Sequence, residues 1–198
     1  MQPPLESDGE IVEETVLAPP RRRVAWFVEW GIVIISVLSL FLLSRAYVAQ
    51  TFYIPSASMV PTLQVGDRIV VSKLSVTWGT IHRGDIVVFH SPRNVAQDCD
   101  QPSESYLVKR VIGLPGERLH SVGNTIYVNG KALKEPWKHV EPLGKIIFPL
   151  TVPANSYFML GDNRFNSCDS RYWGSVSRSM IIGKAFVRIW PFSRIGFL

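Results

Sequence analysis

Apolar residues follow two different rhythms along this chain. Residues 30–49 read WGIVIISVLSLFLLSRAYVA, an unbroken apolar run whose only charge is Arg45. At about 1.5 Å per residue, such a run makes a helix about 30 Å long, the thickness of a bilayer's hydrocarbon core. Glu29 and Arg45 stand near its ends, where long polar side chains snorkel toward headgroups. Trp26, Trp30 and Tyr47 stand where an interfacial aromatic belt forms. Farther along, the pattern changes to short runs rich in β-branched and aromatic residues, bounded by turn formers. The runs at 68–72, 85–90, 106–112, 125–128, 157–160 and 181–190 are predicted strands. Asn129-Gly130 marks a hairpin, and Gly66-Asp67 and Gly84-Asp85 open two strands with the same turn chemistry. The class is mainly β.

With 198 residues the chain holds one medium domain plus a small appendage. Residues 1–23 carry Glu6, Asp8, Glu10, Glu13 and Glu14, four prolines and then Arg21-Arg22-Arg23, without apolar periodicity. That composition predicts a disordered tail. The arginine triplet keeps this side cytoplasmic, so 24–49 is expected to be a single transmembrane anchor and 50–198 an exported domain. A cleaved signal peptide is the competing reading. It fits less well, because Arg45 and Tyr47 occupy positions where a cleavage site wants small residues.

Composition sharpens this picture in two places. Charged residues are 19% of the chain, below the roughly 25% of typical soluble domains, and the anchor accounts for the deficit. The net charge of +5 becomes +7 over residues 50–198. That suits a domain lying against an anionic membrane, where each nearby cation contributes about 1 kcal/mol, better than a nucleic-acid partner. Collagen, coiled coil, long disorder and polytopic membrane protein are excluded.

The chemistry is not carried by histidine or metal. His82, His90, His120 and His139 stand in no metal-ligand spacing, and no phosphate-binding glycine pattern appears, so no metal and no cofactor are expected. Three other segments are informative. In IPSASMVPTL, residues 54–63, two serines sit between prolines that stiffen the backbone. In YLVKRVIGLPGE, residues 106–117, strand alternation sends Lys109 and Arg110 to opposite faces, so one cation points inward if both faces are covered. A buried lysine is easier to deprotonate; moving it from about 10.4 to about 7 takes about 4.6 kcal/mol of desolvation and makes a neutral general base. In GDNRFNSCDSRYWG, residues 161–174, small, polar and charged residues crowd one loop, where side-chain hydrogen bonds and Asp–Arg pairs order a site.

Together the three segments, with GDRIVV at 66–71, closely resemble in order the boxes of the type I signal peptidases. These are membrane-anchored serine proteases with a Ser/Lys dyad, and the resemblance covers about 25–198. It implies an antiparallel β-sheet catalytic domain, shared with LexA-type repressors, behind a single N-terminal transmembrane helix. It implies Ser58 as nucleophile and Lys109 as neutral general base. The Ser56 hydroxyl and the Ser58 N–H would form the oxyanion hole, Ser167 would orient Lys109, and Met59 would line the pocket. Asp169 and Arg171 would be a supporting ion pair beneath the site. The implied substrates are secretory preproteins, cut after a small residue with another two positions earlier. The implied setting is the exported face of a bacterial-type inner membrane, with the enzyme a monomer.

Phe52, Tyr53, Trp190 and Phe192 are candidates for an apolar rim dipping into lipid, or equally for core aromatics. Cys99 and Cys168, the only cysteines, are either a disulfide tying site segments or two free thiols. A mitochondrial inner-membrane peptidase relative fits less well than a bacterial type, and a LexA-type self-cleaving repressor is disfavoured because an apolar membrane segment, not a helix-turn-helix pattern, precedes the domain. An inactive anchored binding module is disfavoured by intact Ser58 and Lys109.

Overall fold

The computed structural model describes residues 22–92, 99, 105–137 and 142–198, and within its first helix the side chains of 26–42. That helix, α1, spans Arg22–Tyr47, 26 residues. The expected tail therefore lies, up to residue 21, outside the described residues. Ile32, Ile34, Ile35, Leu38, Leu40 and Phe41 are all exposed on α1. Among the described residues no helix is long and apolar enough to cross a membrane. The chain divides into two compact units between Phe41 and Leu42.

The second unit is built on antiparallel strands. They are β1 (Ala49–Tyr53), β2 (Arg68–Ser72), β3 (Ile86–His90), β4 (Tyr106–Gly113), β5 (Arg118–Val122) and β6 (Thr125–Val128). They continue with β7 (Lys131–Ala132), β8 (Leu150–Thr151), β9 (Ser156–Leu160), β10 (Val176–Ser177), β11 (Ile181–Trp190) and β12 (Gly196–Phe197). Among the elements that lie wholly within the described residues, the short helices α2 (Leu74–Thr77) and α3 (Ser170–Trp173) interrupt them. An eight-stranded sheet runs β1-β2-β11-β3-β4-β9-β10 with β12 beside β11, and a four-stranded sheet runs β7-β6-β5-β8.

All six predicted strands form, and β6 and β7 close the Asn129-Gly130 hairpin with both turn residues at positive φ. Those runs carry enough β-branched and aromatic residues to signal themselves. β7 is the second arm of that hairpin, while the short strands β1, β5, β8, β10 and β12 have no counterpart among the predicted runs. Too brief or too polar for a pattern, they are made by neighbours that offer a ladder. The two Gly-Asp openings do share one turn. Gly66 and Gly84 sit at φ 94° and 92°, and the following carboxylates accept from Gln64 N at 2.8 Å and His82 N at 2.9 Å.

Three apolar clusters support the sheets. One holds Ile54, Met59, Leu63, Ile69, Val71, Ile86 and Val88, so the serine-bearing turn is rooted in the core by Met59 and Leu63. A second lies around β3, β4, β9 and β11, and the third joins the small sheet to β4 and β9 through Ile112, Leu119, Ile126 and Phe158.

Candidate active site

The serine segment leaves β1 and closes into a one-turn 3-10 helix, Ala57–Met59. Val60 N donates to Ala57 O at 3.1 Å and Leu63 N to Met59 O at 2.9 Å. With Met59 buried below, Ser58 is displayed on a tight, anchored turn. From β4, 51 positions later, Lys109 brings its Nζ to 2.6 Å from Ser58 Oγ. Lys109 is only 3% exposed. Alternation left open which cation of β4 would be covered; in the folded domain both Lys109 and Arg110 are buried. Ser56 Oγ lies 3.4 Å from Ser58 Oγ and is exposed, while Met59 lines the adjoining cavity.

The loop after β9 grips the serine turn from its backbone. Asn163 N donates to Ser58 O at 3.1 Å, and Asn163 Nδ2 to Ala57 O at 3.3 Å. Asp162 binds Arg110 in a two-pronged pair of 2.8 and 2.6 Å and accepts from Thr62 Oγ1 at 2.6 Å. Arg110 also donates to Gly84 O at 2.7 Å and lies 4.7 Å over the Trp137 ring. One carboxylate thus joins the residue after Lys109 to the residue four beyond Ser58. Asp169 and Arg171 form a buried pair with contacts of 2.7 and 2.7 Å. Arg171 also donates to Leu143 O, to Arg164 O at 2.7 Å and to Ser167 O at 3.1 Å, and Asp169 accepts from Gly161 N at 3.1 Å. Arg164, wholly buried, pairs with Glu135, which follows β7.

Ser167 Oγ is buried and makes no hydrogen bond among the described residues. It packs against the Cα of Gly161, beside the Ser58 carbonyl. Arg110 enters from sequence only as one of two strand cations, and Thr62, Gly161, Asp162, Asn163, Glu135 and Arg164 carry no individual role there. Their signal was faint: an arginine beside a lysine in a covered strand, and a Gly-Asp-Asn-Arg run whose partners lie 29 to 106 positions upstream.

A cavity of about 510 Å³ opens beside Ser58 and Lys109, walled by residues of β1 and the first half of β4. Among the described residues, β1 pairs only with β2, and β4 pairs with β9 only from Arg110 onward. Two strand edges therefore present unpaired backbone groups to one groove, the arrangement that accepts an extended peptide by strand addition. Serine, amine and groove together can support acyl transfer to a serine hydroxyl. Among the described residues no cluster of three or more His, Cys, Asp or Glu is arranged to hold a metal.

Of the rim candidates, Phe52 is half-buried against the core and edge-on to Tyr106 at 5.6 Å. Tyr53, Trp190 and Phe192 are exposed. Tyr53, Arg68 and Trp190 lie side by side across β1, β2 and β11, and the rings of Trp190 and Phe192 are 4.8 Å apart.

Cys99 and Cys168 form a disulfide with Cα atoms 5.9 Å apart, closing a separation of 69 positions next to Ser167. Cross-linking removes conformations from the unfolded chain. Reduction is therefore expected to lower unfolding free energy by about 2–4 kcal/mol. Urea denaturation with and without dithiothreitol measures it; an unshifted midpoint shows that the bridge constrains nothing the fold does not already hold.

The family model described as "Signal peptidase, peptidase S26" matches residues 27–190. The chain is 46% identical over 152 residues to "Signal peptidase I" of Leptolyngbya laminosa, covering 77% of this chain and 74% of that relative. It is 40% identical over 181 residues to "Probable signal peptidase I-2" of Synechocystis sp., covering 91% and 80%. It is 38% identical over 189 residues to "Signal peptidase I" of Bacillus caldolyticus, covering 89% and 94%.

Proposed function

This chain belongs to the signal peptidase family, peptidase S26, and from that premise we propose that it is a membrane-bound serine endopeptidase that removes signal peptides from secretory preproteins. The 2.6 Å contact between Ser58 Oγ and a buried Lys109 Nζ carries the reading. A serine hydroxyl is a weak nucleophile until a base takes its proton, and a lysine serves as that base only when neutral. Desolvation disfavours the ammonium, which is the condition the burial of Lys109 supplies.

In the reading we adopt, a preprotein segment lies extended in the groove between β1 and β4. Ser58 Oγ attacks the scissile carbonyl while its proton passes to Lys109 Nζ. The oxyanion is met by the Ser56 hydroxyl and the Ser58 N–H, each donor being worth about 3 kcal/mol in comparable sites. Lys109 then gives the proton to the leaving amine; neutral Lys109 next takes a proton from the water that attacks the acyl-serine and returns it to Ser58 Oγ as the acyl–oxygen bond breaks, which releases the second product and restores Ser58. To the Ser167 hydroxyl, which makes no hydrogen bond among the described residues, we assign the orienting of Lys109, and to the Asp169–Arg171 pair the support of the loop beneath. Because protonated Lys109 cannot act as base, activity rises with pH on the acid side.

We assign α1 as the anchor within residues 24–49, leaving residues 50–198 on the exported side of a bacterial-type membrane and the arginine triplet in the cytoplasm. The apolar run of 30–49 and the exposed apolar side chains of α1 support this. Tyr53, Trp190 and Phe192 form the apolar rim that meets lipid. A bilayer-held enzyme meets a bilayer-held substrate.

The test uses the full chain with anionic phospholipid vesicles and a preprotein. The chain is expected to float with the vesicles and to cut after a small residue that has another two positions before it, as read by product sequencing. A chain that stays in the aqueous fraction removes the anchor assignment, and one that leaves the preprotein intact removes the activity.

A further inference from the structure

A second ion cluster holds the serine turn, and the chemistry above makes no use of it. Asp67, 1% exposed, opens β2. Its carboxylate accepts from Arg194 Nη1 at 2.9 and 3.1 Å, and Arg188 Nη1 lies 3.6 Å away. Both arginines come from the C-terminal end of the chain, Arg188 on β11 and Arg194 in the 3-10 turn Phe192–Arg194. Arg188 Nη1 donates to Thr62 O at 2.7 Å, and Arg194 Nη2 reaches Pro61 O at 3.5 Å. Arg188 Nε also donates to the Arg194 carbonyl, which ties the two arginines together.

Thr62 is therefore gripped twice. Its carbonyl is held by this cluster, and its hydroxyl by the Asp162 carboxylate that binds Arg110, the neighbour of Lys109. Between Ser58 and Thr62 the backbone is a hydrogen-bonded turn, so a displacement at Thr62 is passed to Ser58 rather than absorbed. Planar guanidinium groups suit this task because one fork addresses several acceptors in fixed geometry.

We propose that Arg188 and Arg194 are positioning residues that hold Ser58 in register with Lys109, with Asp67 compensating their charge. The inference rests on the Ser58–Lys109 reading and adds to it a dependence on the C-terminal segment. Neither arginine lines the groove, so substrate binding is expected to be indifferent to them. Displacement of a reacting group by about 1 Å can cost about 100-fold in rate.

The experiment compares the parent with Arg188→Gln, Arg194→Gln and Arg188→Lys, each as full chain in detergent, measuring preprotein cleavage and urea unfolding. Both Gln variants are expected to lose about 10- to 100-fold in kcat with KM within about twofold. Arg188→Lys keeps a charge beside Asp67 but lacks the fork that reaches both carbonyls. It is expected to unfold near the parental midpoint yet stay low in kcat, which a merely structural role would not produce. If Arg188→Lys shows parental kcat, or if the loss lies in KM, the proposal is overturned. A parent that does not cleave at all overturns instead the dyad reading beneath it.

Discussion

Replacing Lys109 by Met is expected to lower kcat/KM for a preprotein by at least about 1,000-fold while leaving the fold as stable as before or more so. The amine is the group that reaches Ser58 Oγ, at 2.6 Å. Without it the hydroxyl keeps its proton and attacks no faster than an ordinary alcohol. A methionine fills nearly the same buried volume and carries no group that must be stripped of water. Ser58→Ala is expected to match the loss, because the two side chains act as one unit and removing either disables both. Lys109→Arg is the sharper variant. It keeps a long cationic side chain, yet a guanidinium does not lose its proton in proteins and cannot serve as base. Steady-state kinetics with thermal unfolding on the same samples checks all three. Near-parental cleavage by any of them ends the dyad assignment.

Gly161→Ala is expected to damage both stability and rate. A Cβ at this position would lie 2.6 Å from Ser167 Cβ, and closer still to Ser167 Oγ and the Ser58 carbonyl oxygen. A serine hydroxyl can rotate away, but the backbone carbonyl of the nucleophile can retreat only by moving the turn. Overpacking of this kind costs about 1–3 kcal/mol, and a shift of the turn by about 1 Å costs about 100-fold in kcat. Urea unfolding reads the first and single-turnover cleavage the second. Parental values for both would show that the loop after β9 yields without disturbing Ser58. Because Gly161 is not among the positive-φ glycines, the expected penalty is steric, not conformational.

Much of the architecture was legible before folding because it depends on local pattern. Six strands, the Asn129-Gly130 hairpin and the paired Gly-Asp turns follow from alternation and from the backbone freedom of glycine. The order of the boxes was legible too, and with it the candidates Ser58 and Lys109. The bracing residues were not. Arg110 reads as one of two cations on a strand, and only the ladder with β3 and β9 settles that both are covered. Asp162 reads as a loop acid, and nothing local says that it joins Arg110 to Thr62. The disulfide was equally undecidable, since two cysteines 69 positions apart reveal nothing about a Cα separation of 5.9 Å.

By itself the sequence determined which segments are apolar, which are strands, where turns must fall and which residue types are available for chemistry, since all of these depend on near neighbours. Only the tertiary structure decided which polar groups meet. Ser58 and Lys109 are 51 positions apart, and Ala57 and Asn163 are 106 apart. Such contacts arise when sheet register and core packing bring distant segments together. Once water is excluded, a buried charge without a partner is too costly to keep, so packing also selects the pairs Arg110–Asp162 and Arg171–Asp169.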